Sequence, residues 1–180
     1  MSNVRDFAPC AVDPVYERFL ARQREEGLAL SQSSDLLDLH MAPVIPPHFI
    51  AEFHCRGLVR DRDGEIREAS GFAVGIWLPP DYLRRADTFE MLRIFTPGVF
   101  HPNVSADLPL ICVGRLAAGT PLVDILFQLF DMLTYQKFNP RESDALNKAA
   151  CQWARRHQDR FPIDRRPLKR ARLDLEVRPL

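Results

Sequence analysis

The chain has 180 residues, of which 46% are hydrophobic, enough for one globular domain with a sizeable core. Basic and acidic residues number 24 each, so the net charge gives no reason to expect a nucleic acid or an anionic membrane as partner. No apolar stretch approaches the roughly 20 residues that cross a bilayer, and the N-terminus lacks the apolar region of a signal peptide. These features predict a soluble cytoplasmic protein.

The first half of the chain is predicted to form one helix followed by strands. Asp13 can cap a helix that begins with Pro14 and runs to residue 31. From His48 the apolar period changes to two, and the residues on one face are Phe49, Ala51, Phe53 and Cys55. The Asp-Gly pair in "RDRDGE" favours a hairpin turn. Two further strands are predicted, one over residues 72–78 and one over "TFEMLRIF", residues 88–95.

The second half is predicted to be helical. Pro121 can open a helix with an apolar stripe formed by Leu122, Ile125, Leu126, Leu129, Phe130 and Leu133. "KFNPRESD" ends it, and Asp144 is predicted to cap the last helix. A helix, strands, an irregular cysteine segment and further helices indicate an α+β fold. The predicted boundaries are an N-terminal tail over 1–12, one domain over 13–162 and a C-terminal tail over 163–180, which can pair as an edge strand or stay free.

The segment "FHPNVSADLPLICVG" places one cysteine, Cys112, at the end of an apolar run. The other cysteines, Cys10, Cys55 and Cys151, are about forty to sixty residues from their neighbours in sequence, and none has zinc-ligand spacing. We expect reduced thiols, with Cys10 in the tail and Cys55 and Cys151 in the core. Cys112 by itself could be a core residue, a metal ligand, half of a disulfide or a nucleophile.

Two motifs carry a family resemblance. "FTPGVFHPNV…ICVG", followed by "FNPRESDALNKAA", resembles the ubiquitin-conjugating enzymes, in which a His-Pro-Asn tripeptide precedes the thioester cysteine. The resemblance covers roughly residues 13–160 and is most specific over 95–112 and 139–150. It implies the family fold: an N-terminal helix, a four-stranded antiparallel meander, a cysteine loop and C-terminal helices.

The resemblance also implies roles for individual residues. Cys112 matches the cysteine that carries the thioester, and Asn103 matches the asparagine that stabilises the oxyanion. Asp144 matches the loop acid that orients or deprotonates the attacking lysine. His101 and Pro102 match the structural part of the active-site loop. Thr120 and Pro121 stand in a loop that the family uses to contact ligases.

The implied reaction is the transfer of a ubiquitin-like protein from an activating enzyme to Cys112 and then to a target lysine. No metal or cofactor is implied for this chain, since the activating enzyme uses the ATP. The loop before Cys112 is one residue longer than usual, and Gly119 stands where the family has Trp, so a standard ligase contact is not expected. Such divergence resembles enzymes of bacterial ubiquitin-like operons, which are associated with defence against phage.

Two other functions are compatible with the sequence. The first is a binding module on the same fold that holds a ubiquitin-like protein or an activating enzyme noncovalently; the family's inactive variants of this kind lose the cysteine. The second is a cysteine hydrolase, which needs a histidine base. His101 is the only histidine near Cys112 in sequence, and nothing there supplies an acid to orient it. The retained Cys112 and Asn103 favour the conjugating enzyme.

Overall fold

The computed structural model describes residues 13–42 and 48–169. Five elements form the first half of the fold: α1 Pro14–Gln32, β1 Leu37–Met41, β2 His48–Arg60, β3 Ile66–Trp77 and α2 Thr88–Met91. Three form the rest: β4 Leu92–Ile94, α3 Leu122–Leu133 and α4 Lys148–Arg156. Cys10 and the C-terminal segment from residue 170 lie outside the described residues. None of the helices within these ranges is long and apolar enough to span a bilayer.

Helix α1 begins as its sequence predicts. The Asp13 side chain accepts a hydrogen bond of 2.9 Å from the Val15 amide, and Pro14 occupies the first helical position. Gly27 of α1 is buried. A Cβ at this position would lie 2.8 Å from the Leu39 side chain and 2.9 Å from the Leu122 side chain, closer than side chains can pack. The absence of a side chain lets α1 approach both the sheet and α3 closely.

The four strands form one antiparallel sheet in the order β1-β2-β3-β4. The predicted buried face of β2 is confirmed, since Phe49, Ala51, Phe53 and Cys55 are all at most 1% exposed. The C-terminal end of β2 also contacts the segment after β4, because the Arg60 backbone amide donates to the Gly98 carbonyl at 2.7 Å. This pairing carries the chain that leaves β4 back along the sheet and towards the cysteine segment.

The predicted strand over residues 88–95 is wrong in its first half. Residues 88–91 form α2, and only Leu92–Ile94 pair with β3. The Asp87 side chain accepts a hydrogen bond of 2.9 Å from the Phe89 amide, which starts a helical turn. This local cap overrides the alternation of apolar residues that favoured a strand.

Helix α3 is confirmed, with its predicted apolar stripe buried against the sheet and α1. Its first turn has no side-chain cap of its own. Instead, the buried Gln23 of α1 accepts a hydrogen bond of 2.7 Å from the Leu122 amide. At the other end, the absence of a side chain at Gly57 makes room for the Phe72 ring and for the Leu133 carbonyl. Both ends of α3 are therefore fixed by contacts from distant parts of the chain.

The prediction that Asp144 caps the last helix is also wrong. Asp144 ends a short 3-10 turn, Glu142–Asp144, and the cap of α4 is Asn147, whose Oδ1 accepts from the Ala150 amide at 3.0 Å. Asn and Asp are about equally good caps, so the choice between them depends on where the backbone becomes helical. Here the turn delays that point by three residues.

Residues 161–168 lie against the sheet. Asp164, 4% exposed, accepts hydrogen bonds from the Arg56 amide at 3.2 Å and from the Arg166 guanidinium. Leu168 is part of the main core. The hydrogen bonds from Arg166 and the two backbone amides lower the pKa of the Asp164 carboxyl to about 2, although its burial acts in the opposite direction.

We expect the Asp164→Asn substitution to lower the free energy of unfolding at pH 7 by about 2 kcal/mol, because it replaces a buried, hydrogen-bonded carboxylate. A lowered pKa gives stabilisation that is present above the usual carboxyl pKa of 3.8 and is lost as the pH falls towards 2. The difference between wild type and variant should therefore shrink below pH 4. Urea unfolding at a series of pH values measures it.

Glu68→Gln is the matched control, because Glu68 forms an exposed ion pair with Arg56 at 2.7 Å. Exposed pairs typically contribute less than ~1 kcal/mol. Equal losses for the two variants, or a loss for Asp164→Asn that does not change with pH, would contradict the role assigned to Asp164.

Candidate active site

The His-Pro-Asn tripeptide forms a tight turn immediately after a stretch paired with the sheet. The Phe100 amide donates to the Leu58 carbonyl of β2 at 2.9 Å. The chain then turns, with the Val104 amide donating to the His101 carbonyl at 3.1 Å. The His101 side chain closes the turn, because its Nδ1 accepts from the Asn103 amide at 3.0 Å. The turn thus holds Asn103 in a defined position relative to the sheet.

Residues 104–111 form a small hairpin that leads to the cysteine. Val104 pairs with Ile111 at its base, and the Ser105 amide donates to the Leu110 carbonyl at 3.0 Å. One side of the hairpin pairs with β4, where the Ile94 amide donates to the Pro109 carbonyl at 3.1 Å. The hairpin returns the chain next to Asn103.

Asn103 and Cys112 are joined by two hydrogen bonds. The Cys112 amide donates to the Asn103 carbonyl at 2.9 Å, and the Asn103 Nδ2 donates to the Cys112 carbonyl at 2.7 Å. Cys112 is partly exposed, whereas Cys55 and Cys151 are buried. All three thiols are free. Of the described cysteines, Cys112 is therefore the one that can meet a partner in solution.

The Asn103 side chain also contacts the loop before α4. Its Oδ1 accepts a hydrogen bond from the Asn139 amide at 3.1 Å, which fixes which side of the amide group carries the oxygen. One Nδ2 hydrogen is bonded to the Cys112 carbonyl. The other has no acceptor within hydrogen-bond distance among the described residues, so the side chain retains one donor near the cysteine.

His101 is structural. It is 1% exposed, and burial lowers its pKa to about 3, so the ring is neutral at physiological pH. Its ring packs edge-on against Tyr135 at 4.5 Å, and the Tyr135 hydroxyl donates to the Phe100 carbonyl. Because Nδ1 accepts from the Asn103 amide, the proton of the neutral ring is on Nε2. No hydrogen bond among the described residues joins His101 to the Cys112 thiol, and its Nδ1 lone pair is taken up by the Asn103 amide, so the ring is not placed as the base that a cysteine hydrolase needs.

Pro102 connects the turn to α4. Its carbonyl accepts a hydrogen bond of 3.1 Å from the Asn147 amide. Asn147 is 8% exposed and is also the cap of α4, so one residue fixes both the start of the helix and its distance from the active-site loop. Asn147 and Asn139 were not predicted from the sequence. The cap preference of Asn before a helical run could have indicated Asn147, but no sequence signal identifies the amide of Asn139.

Asp144 lies on the loop between α3 and α4. It is exposed, and its Oδ1 accepts a hydrogen bond of 2.9 Å from the Ser143 hydroxyl. Among the described residues, no hydrogen bond joins it to Asn103 or Cys112. It belongs to the same loop as Asn139, which does contact Asn103. The structure thus brings Cys112, Asn103, Pro102 and His101 together and places Asp144 on the adjoining loop.

Comparisons with known proteins bear on this fold. No protein-family model matches the sequence, and no curated protein matches it significantly. Solved structures do match: a domain of a ubiquitin conjugating enzyme from Toxoplasma gondii has a TM-score of 0.52 at 16% identity, covering 77% of this chain and 88% of that one. A structure described as a novel ubiquitin-conjugating enzyme has a TM-score of 0.54 at 17% identity, covering 79% and 86%. The predicted α+β architecture is confirmed: the chain has the fold of the ubiquitin-conjugating enzymes.

Proposed function

We propose that this protein is a conjugating enzyme that carries a ubiquitin-like protein as a thioester on Cys112 and transfers it to an amine of a target. The observation that supports this most directly is that the Asn103 side-chain amide is held beside a partly exposed cysteine, because its Nδ2 donates a hydrogen bond of 2.7 Å to the backbone carbonyl of Cys112. The fold of the chain agrees with this activity.

The proposed chemistry has two acyl transfers. In the first, the Cys112 thiolate attacks the thioester carbonyl of a ubiquitin-like protein on an activating enzyme; a new C–S bond forms, the old one breaks, and the activating enzyme's thiol is released. In the second, a target lysine attacks, an amide forms, the Cys112 thiolate leaves, and the amine proton passes to solvent or to a nearby base. ATP is used by the activating enzyme, so this chain needs no cofactor.

Asn103 is suited to the second transfer. Attack by the amine produces a tetrahedral oxyanion, which a preorganised amide donor stabilises. The hydrogen bond from the Asn139 amide orients the side chain, and the second Nδ2 hydrogen is available to the oxyanion.

Partners of this chain in the proposal are the activating enzyme, the ubiquitin-like protein and target lysines. A cytoplasmic location, a bacterial operon and defence against phage belong to the same proposal through the sequence resemblance.

The first experiment is a charging assay with the activating enzyme and ubiquitin-like protein encoded by neighbouring genes, with ATP, on reducing and non-reducing gels. We expect a thiol-sensitive adduct that is absent in Cys112→Ala. In Cys112→Ser it should be absent or replaced by a thiol-resistant ester, because an oxygen ester does not exchange with thiols. Cys151→Ala is the control and should still charge, since Cys151 is buried.

Full transfer by Cys112→Ala would refute the nucleophile assignment. Measurable noncovalent binding of the ubiquitin-like protein without any adduct would instead support the binding module on the same fold.

We expect Asn103→Ala to slow discharge of the charged protein to free lysine by about 100- to 1000-fold, the usual cost of removing an oxyanion donor, and to slow charging much less. Asn103→Asp is the informative second variant. It keeps the oxygen that accepts from the Asn139 amide but loses the donor to the Cys112 carbonyl. Single-turnover discharge measures both, and wild-type discharge by Asn103→Asp would mean that the donor is not required.

For Asp144 we expect the Asn substitution to slow discharge to lysine without affecting charging, by up to about 100-fold if the carboxylate acts as a base. The matched control is Glu142→Gln, which changes an acid in the same turn. The loop geometry should be unaffected, because an amide can still accept from the Ser143 hydroxyl. Equal discharge by the Asp144→Asn variant and wild type would remove Asp144 from the mechanism.

A further inference from the structure

The charge of the protein is unevenly distributed along the chain. Although the whole sequence is neutral, residues 137–169 contain nine basic and four acidic residues. This segment includes the loop beside the active site and all of α4. A basic region in a neutral protein points to an interaction surface for an anionic partner.

The exposed side of α4 carries much of this charge. Lys148, Arg155 and Arg156 are all exposed, and none of them forms an ion pair with another described residue. Glu142 lies on the same surface and accepts a hydrogen bond of 2.6 Å from Gln152. A hollow of about 330 Å³ on this surface is lined by Glu142, Gln152, Arg155 and Arg156. We call the exposed surface formed by Lys148, Arg155 and Arg156 the α4 basic face.

Helix stability does not account for the whole α4 basic face. The partial negative charge at a helix C-terminus favours Arg155 and Arg156 in the last turn. Lys148, however, is the first residue of α4, where the partial positive charge disfavours a cation. A basic residue at each end therefore indicates a role for the surface itself.

The α4 basic face is tied to the active-site loop. The Asn147 amide donates to the Pro102 carbonyl, so α4 begins beside the His-Pro-Asn turn. Its nine residues advance about 12 Å from first to last. An extended peptide covers that distance in about four residues. The 3-10 turn containing Asp144 is joined to α4 by the contact between Glu142 and Gln152.

We propose that the α4 basic face selects targets, by binding acidic side chains that lie about four residues or slightly more from the lysine that is modified. This rests on the proposed function, because it assumes that a lysine approaches Cys112. The charges are complementary to such a segment, because the exposed Arg155 and Arg156 suit carboxylates that lie further along the peptide. Two carboxylates at this spacing are thus the chemical signature of a preferred target.

The test is single-turnover discharge of the charged protein to synthetic peptides. Each peptide has one lysine, with two glutamates four and five residues before or after it, and its reference has glutamines at the same positions. We expect a preference of about three- to tenfold for the acidic peptide of one polarity, since each exposed charge pair contributes modestly. The preference should fall in 0.5 M NaCl, where surface charges are screened.

The double variant Arg155→Glu, Arg156→Glu should lose or reverse the preference and leave discharge to free lysine unchanged. Its control is Arg18→Glu, Arg24→Glu, which makes the same change in net charge at exposed residues of α1 that form no ion pair in the described structure. This control should keep the preference, because α1 does not contribute to the α4 basic face.

The outcomes separate the two proposals. Failure of the wild-type protein to form a thioester overturns the proposed function and the target preference with it. Normal charging and discharge to free lysine, with equal rates for acidic and neutral peptides, overturns the target preference alone. Binding of a short single-stranded DNA that depends on Arg155 and Arg156, without any peptide preference, would assign the α4 basic face to a nucleic acid and likewise refute the proposal.

Discussion

The candidate active site depends on one side chain that connects three parts of the chain. The amide of Asn103 donates to the carbonyl of Cys112 and accepts from the amide of Asn139. It thereby joins the His-Pro-Asn turn, the end of the cysteine hairpin and the loop before α4. A short polar side chain that satisfies two backbone groups at once can hold irregular backbone in a single geometry, which regular secondary structure does not provide here.

The histidine beside Asn103 has a structural role and is neutral. His101 is buried beside Tyr135, so its charged form is disfavoured and its Nδ1 is free to accept from the Asn103 amide. A charged imidazole could not make that contact. An acyl group that arrives already activated as a thioester does not need such a base, and therefore a neutral, structural histidine is compatible with the proposed chemistry.

The two wrong sequence predictions have the same physical cause. Over residues 88–95 the alternation of apolar residues suggested a strand, but the side chain of Asp87 starts a helical turn. Before α4, Asp144 resembled a helix cap, but the short turn that it belongs to postpones the helix until Asn147. In both cases interactions among a few neighbouring residues decided where the helical backbone begins. Such competition is not visible in hydrophobic periodicity.

The sequence by itself determined the long elements and the identity of the central pair. Periodicity predicted α1, the buried face of β2 and α3, and the two motifs drew attention to Cys112 and Asn103, which the fold joins by two hydrogen bonds. These signals depend only on neighbours along the chain. The tertiary structure alone decided that Asn139 and Asn147 belong to the site and that the basic residues of α4 adjoin it. Their roles depend on contacts between residues far apart in sequence, such as the hydrogen bonds from the Asn139 and Asn147 amides to Asn103 and Pro102. A local sequence pattern does not predict such contacts.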